Sequence, residues 1–255
     1  MSQPLPPVRT GDLGRDGVPG RDGVPGRDGV PSSTGDDQPV NRLASAVRRI
    51  SDVVVGAEVP DAEMARTADQ LTQIAQVLEE SVSTWSRLGV NLSGHPQDFF
   101  PNSPIIGYAN PIAPPADVWA VVGEDGQPEI RGRVTFSNPY EGPPTCVHGG
   151  VIAELFDELM GVANVVADAP AMTGTLTVRY RKPTPLLAPL DLVARFKGRE
   201  RRKIFTWAGI YHVGALTAEA DGIFIGVQSP LVQEILGADA QMVNNAVRTE
   251  RNTAS

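Results

Sequence analysis

Apolar positions follow two periodicities along this chain, helical in its first third and mostly alternating beyond it. Residues 41–55 and 61–88 carry the three-to-four spacing of helices. In the second stretch Met64, Leu71, Ile74, Leu78, Val82 and Trp85 share one face, and Pro60 and Asp61 stand where such a helix begins. An apolar stripe of this kind needs a surface, so the helix is expected to dock on the main domain or on an oligomeric partner. Residues 89–116, rich in Pro, Asn and Gly, read as an irregular connection.

From Val118 the pattern becomes that of strands. WAVVG and EIRGRVTF flank EDGQ, in which Asp125-Gly126 marks a turn, so a hairpin is expected. The bend NPYEGPPT follows, then one helix from about Gly149 to Val166. Four further strands are predicted over TGTLTVRY, LDLVARFK, Ile204 to Val213, and Leu216 to Val227. A hairpin, one helix and then antiparallel strands joined by short turns make an α+β fold. Val151, Ile152, Leu155, Phe156, Leu159 and Met160 cover much of that helix, so it should be buried, with the sheet wrapped around it. The chain accordingly divides into a tail (1–39), a helical extension and linker (40–116), the α+β domain (117–228), and a C-terminal helix and polar tail (229–255).

Composition narrows the function classes. The 41% of hydrophobic residues is enough for a real core, and the net charge of −8 argues against a general nucleic-acid or anionic-membrane role. With one cysteine, Cys146, neither an intramolecular disulfide nor a cysteine-rich metal site is possible. The start MSQPLPPVRTGDLGRDG has no apolar run, and the apolar runs elsewhere are too short for a bilayer, so a cytoplasmic protein is expected. Glycine recurs at every third position from Gly11 to Gly29, in the repeat GRDGVP. The spacing is that of collagen, but the run is short, and a disordered, duplicated linker is the expectation.

The candidate chemistry lies on the central helix. Gly150, Glu154, Asp157, Glu158 and Gly161 fall three or four residues apart and share one stripe. Such a stripe either faces solvent or serves a site. Like charges one turn apart cost stability, and burial beside another carboxylate raises a carboxyl pKa, as a general base requires. The helix also opens on His148-Gly149-Gly150. Glycines let a ligand approach the backbone, and first-turn amides at the positive end of the helix can hold a developing oxyanion. His148 is a candidate for the site or, alternatively, a structural cap of the turn.

Other constellations compete. Cys146 and His148 are two apart and would suit acyl-enzyme chemistry, although free cysteines are commonly inert core residues. His148, Glu154, Asp157 and Glu158 match no known metal-ligand spacing, and G-x-S-x-G and P-loop signatures are absent. The run KGRERRK places Lys197, Arg199, Arg201, Arg202 and Lys203 between two strands of an acidic chain. It is either a phosphate grip or an ordinary solvated hairpin. Alternation in TLTVRYRK puts Thr173, Thr175, Thr177, Arg179 and Arg181 on one face, which makes the two arginines secondary candidates.

EGPPTCVHGGVIAELFDELMG followed by TGTLTVRYRKPTPL resembles the hotdog thioesterase superfamily, in the branch of phenylacetate-type and mammalian mitochondrial acyl-CoA thioesterases. HGG, an acid nine residues after the histidine, and a strand ending in Tyr-x-x-Pro carry the resemblance, which spans about Val118 to Val227. It implies a hotdog fold hydrolysing acyl-CoA, with no cofactor and no metal. It also implies a homodimer or dimer of dimers whose sites take the helix start from one subunit and the acid from the other. Asp157 is then general base or nucleophile, Gly149 or Gly150 the amide donor, and Thr173 the group that helps place the water. CoA would be held by Arg201, Arg202 and Lys203, with Arg179 and Arg181 in reserve and Phe156 in the pocket wall. Several relatives carry an Asn six residues before the histidine, where this chain has Gly142, so its role is absent or falls to another group such as His148. The rivals within this resemblance are an acyl-CoA-binding regulator without catalysis and a dehydratase of hydroxyacyl chains.

Overall fold

A computed structural model of the chain describes residues 38–80, 100–123 and 126–226. The glycine repeat, the end of the second helical stretch and the C-terminal tail lie outside them.

Two helices come first, α1 (Pro39–Val55) and α2 (Asp61–Glu79). Proline opens α1, and Asp61 and Glu63 sit in the first turn of α2, where the macrodipole favours acids. The helix expected to dock, α2, does not pack on the domain within this chain; α1 does instead. Its Ala44 is buried, its Arg48 reaches residues 108–113, and its Asp52 accepts a 3.0 Å bond from the Asn138 amide. No residue of α2 is buried, and Ile74 and Val77 remain more than half exposed.

The domain that follows is the hotdog fold. Its strands are β1 (Asp117–Val122), β2 (Pro128–Thr135), β3 (Ala171–Tyr180), β4 (Pro189–Glu200), β5 (Lys203–His212) and β6 (Ala215–Gly226). They form one six-stranded antiparallel sheet in the order β1-β2-β4-β5-β6-β3. The helix α3 (Gly149–Val166) lies between β2 and β3 in the chain and packs across one face of the sheet, against β2, β3, β4, β5 and β6. Leu155, Phe156, Leu159 and Met160 are fully buried there against Ile130, Leu192, Ala208 and Phe224. Each such side chain contributes roughly 1.5–3 kcal/mol on leaving water, which is why α3 is central although its own polar stripe opposes burial.

The strand candidates are present, but their connection differs from a run of neighbours joined by short turns. After α3 the chain enters at the far edge as β3, pairs with β6, and crosses through residues 181–188 to β4. Gly174 adds a further irregularity. Thr173 pairs with Phe224 and Thr175 with Ile223, so one extra residue is inserted between them. Past such a bulge the alternation of faces is reversed. Thr173 therefore faces α3 with Leu176 and Val178, while Thr175, Thr177, Arg179 and Arg181 face the other way.

Candidate active site

His148 is the N-cap of α3. Its backbone is extended (φ −61°, ψ 134°) and its Nδ1 accepts a 3.0 Å bond from the Gly150 amide. A Cβ at Gly150 would stand 3.0 Å from that nitrogen, so the small residue makes room for the cap itself. Gly149 serves a second contact, its carbonyl accepting a 2.8 Å bond from the Tyr180 hydroxyl. The two glycines thus have local structural work beyond ligand access. Because His148 takes the Gly150 amide, the free first-turn donors are the Gly149 and Val151 amides, which have no partner among the described residues.

Gly142 adjoins the same turn. Its amide donates to the Cys146 carbonyl, and a Cβ built on it would lie 2.7 Å from the His148 Cα. An asparagine there meets backbone, not space. Cys146 is half-buried and bridges to Pro185, and His148 directs Nδ1 to Gly150 rather than to the thiol.

Asp157 is half-buried, and its Oδ1 accepts a 2.6 Å hydrogen bond from the Thr173 hydroxyl. The bulge at Gly174 is what turns Thr173 towards it. The adjacent acid behaves differently. Burial pushes the Glu158 carboxyl above the usual range, a hydrogen bond with Ser103 partly opposes this, and the Asp157 charge adds to it. The perturbed carboxyl expected from the stripe is therefore Glu158, and its partner Ser103 lies in a connection that has no periodicity to announce it.

Both acids open on a cleft of about 400 Å³ between α3 and residues 104–114. Ile105, Ile112 and Pro114 form one side, and Val151, Leu155 and Glu154 stand opposite, beside the acids. Phe136 and Tyr140 also line it. Phe156, expected in the pocket wall, is instead fully buried in the core. Successive helical residues are turned about 100° from each other, so the side chain facing the cleft is its neighbour Leu155. Burial raises the Tyr140 phenol, with the Arg48 charge opposing, so its hydroxyl stays a donor, and it bonds the Ile112 carbonyl at 2.8 Å.

The basic run forms the tight β4–β5 hairpin. Arg201, at positive φ (55°), occupies the turn, and Arg199, Arg201, Arg202 and Lys203 are all exposed. Ile204 pairs with Phe224 and Phe224 with Thr173, which sets this tip at the same end of the sheet as Asp157. Arg179 and Arg181 do not join it. Both lie on the face away from α3, ion-paired with Asp221 and Glu219, for the reversal at Gly174 carried them there. Burial alone would raise the Glu219 carboxyl, but bonds from Arg181 and the Trp207 indole hold it below the usual range.

Among the described residues no group of three or more His, Cys, Asp and Glu side chains is placed to hold a metal ion.

Three comparisons bear on this arrangement. Residues 32–86 match a family described as "Hypothetical protein RHA1_ro05818, N-terminal helical domain". The crystal structure of RHA08564, a thioesterase superfamily protein, superposes with a TM-score of 0.67 at 34% identity, covering 76% of this chain and 94% of that one. Acyl-coenzyme A thioesterase THEM4 of Xenopus laevis is 38% identical over 90 residues, 34% of this chain and 40% of its own. Its Mus musculus counterpart is 34% identical over 87 residues, 33% of this chain and 37% of its own. The match thus spans well under half the length of these curated relatives.

Proposed function

We propose, from the premise that this chain belongs to the thioesterase superfamily, that it hydrolyses acyl-CoA thioesters to the free acid and CoA. The observation that carries this reading is the carboxylate of Asp157, held by Thr173 and lining a cleft with a largely apolar opposite wall. Water attacks the thioester carbonyl, Asp157 accepts the proton, and the Gly149 amide takes the charge that develops on oxygen. Collapse breaks the carbon–sulfur bond and CoA leaves as a thiolate, a good leaving group that needs little acid assistance. Direct attack by Asp157, giving a mixed anhydride, is the other route open to the same group. Single-turnover hydrolysis in oxygen-18 water separates the two, since only the anhydride route can leave label in the Asp157 side chain.

Geometry favours a site shared by two copies of the chain. Gly149 and Asp157 are eight residues apart on α3, about 12 Å along a helix axis. One thioester carbon does not contact both ends of that span. A second copy supplying its helix start beside the first copy's Asp157 would complete the site. The Arg201, Arg202 and Lys203 side chains, at the Asp157 end of the sheet, are the phosphate grip in this reading. Purified protein assayed by thiol release against a panel of acyl-CoAs, with Asp157→Ala beside it, tests the function. Turnover that collapses in the variant is the expected result. Binding of CoA esters without turnover would instead favour a regulatory acyl-CoA-binding protein.

A further inference from the structure

Residues 101–116 have no regular secondary structure, yet they are held at several points by other parts of the chain. Arg48 of α1 donates to three of their carbonyls: Nε to Ala113 at 2.8 Å, and Nη2 to Tyr108 at 2.7 Å and Asn110 at 3.0 Å. Tyr140 holds the Ile112 carbonyl, and its own carbonyl accepts the His148 amide at 2.9 Å, which ties the segment to the cap of α3. Ser103 takes the amides of Ile105 and Ile106 on its oxygen, at 3.1 and 3.2 Å. Carbonyls capped by a guanidinium fork are fixed in position in a way that a chain held only by apolar contact is not.

What this clamped segment presents is one wall of the cleft that Asp157 also lines. Pro104, Ile105, Ile112 and Pro114 give it an apolar surface, while the facing stripe of α3 contributes Glu154, Asp157 and Glu158. With CoA held at the β4–β5 hairpin, as in the thioesterase reading, a thioester carbonyl at Asp157 would direct its acyl group into this space. The walls suit a hydrocarbon or aryl body, and three carboxyl groups along one side oppose a further negative charge.

We propose that residues 101–116, clamped by Arg48, select the acyl group, and that the site takes an uncharged acyl chain and refuses one ending in a carboxylate. The inference rests on the thioesterase reading and adds its substrate class. It gives α1 a function as well, since the helix that carries Arg48 becomes part of the specificity apparatus although it contributes no cleft residue. Arg48 acts through the loop and is a positioning residue.

The test compares the full-length protein with Arg48→Ala and Ile112→Trp. Readouts are KM and kcat over an acyl-CoA length series, and calorimetric binding of non-hydrolysable thioether analogues of the same series. The series includes chains ending in a carboxylate beside uncharged chains of equal length. Ile112 is largely exposed at the rim, so its replacement keeps the test alive where Arg48→Ala fails to fold. Wild type should bind uncharged chains at least about tenfold tighter than their carboxylate counterparts. Both variants should change the ratio of long-chain to short-chain KM by about tenfold or more.

An unchanged length profile in a folded variant, or equal affinity for charged and uncharged chains, overturns the proposal while leaving the thioesterase reading intact. Analogues bound with this selectivity but never turned over as esters would uphold the selecting wall and sink the hydrolase. Failure of every ester to bind or react would sink both.

Discussion

The Thr173 hydroxyl donates a 2.6 Å hydrogen bond to one oxygen of Asp157. The bond spans two elements, a bulged edge strand and the central helix, and fixes the carboxylate in a single orientation. With Oδ1 engaged by a donor, Oδ2 is the oxygen left to meet water or a thioester carbon. Asp157→Asn should therefore lower kcat by about 10²–10⁴, the scale of a lost general base. Thr173→Val should cost about 10- to 150-fold, the scale of a lost hydrogen bond to a charged group. Thr173→Ser should retain most activity. Steady-state kinetics on any accepted acyl-CoA measures all three, and a fully active Thr173→Val would show that the bond positions nothing.

The turn before α3 is expected to reject an asparagine in place of Gly142. A Cβ at Gly142 would lie 2.7 Å from the His148 Cα, and backbone cannot swing aside as the tip of a long side chain can. Gly142→Asn should destabilise the fold by roughly 1–3 kcal/mol, the cost of overpacking. It should also disturb the His148 cap without adding a useful water ligand. Urea denaturation reads the first effect, and the absence of any gain in kcat the second.

Much of this architecture was legible in the chain because two periodicities mark it. The apolar circumference of α3 announced a buried helix, and alternation located the strands. The departures come from single residues that break a period. Gly174 inserts one residue in β3, which turns Thr173 inward and sends Arg179 and Arg181 outward, opposite to the strict alternation. Placing Leu155 rather than Phe156 in the cleft required the rotation of α3 about its own axis, which a helix apolar on most sides does not reveal. Residues 101–116 were silent for another reason. Their order comes from side-chain bonds made by Arg48, Ser103 and Tyr140, and such bonds leave no pattern in hydrophobicity.

The raised pKa of Glu158 has a consequence for stability against pH. At low pH the group is protonated in folded and unfolded chains alike, and folding places a neutral carboxyl beside Ser103 and Asp157. As pH climbs through the ordinary carboxyl range the unfolded chain releases this proton first, so the folded state loses stability until pH passes the raised folded value. Glu158→Gln lacks that loss. The stability difference between variant and wild type should shift in favour of the variant as pH rises and then level off. Denaturation midpoints measured from acid to neutral pH give the curve, and a difference independent of pH would contradict it.

The basic hairpin is separable from the acyl end of the site. Arg202→Glu with Lys203→Glu should raise KM for acyl-CoA by about tenfold or more, as charge-assisted bonds to phosphate are replaced by repulsion. An acyl-pantetheine thioester carries the same reacting bond without the CoA phosphates, and its KM should change little. Added salt should weaken the first interaction and spare the second. Equal losses on both substrates would mean that the hairpin affects folding or assembly instead of phosphate binding.

A shared site makes a prediction that a self-contained one cannot. Gly149 is the first residue of α3, its amide has no partner among the described residues, and His148 before it is already extended. Proline fits such a first helical position and requires an extended residue ahead of it. Gly149→Pro therefore removes the oxyanion donor at a helical position that tolerates proline, with the Tyr180 hydroxyl, 3.2 Å from the added Cβ, shifting by a few tenths of an ångström, while Asp157→Ala removes the acid. Each variant alone should be nearly inactive. In a heterodimer of the two, the Asp157→Ala chain still offers an intact helix start and the Gly149→Pro chain an intact acid, so one of the two sites is whole. Unfolding and refolding an equimolar mixture gives heterodimers as about half of all dimers, and about a quarter of wild-type activity should return. No recovery, with dimers formed, would place amide and acid of each site on the same chain and would require α3 to unwind or bend to bring them together.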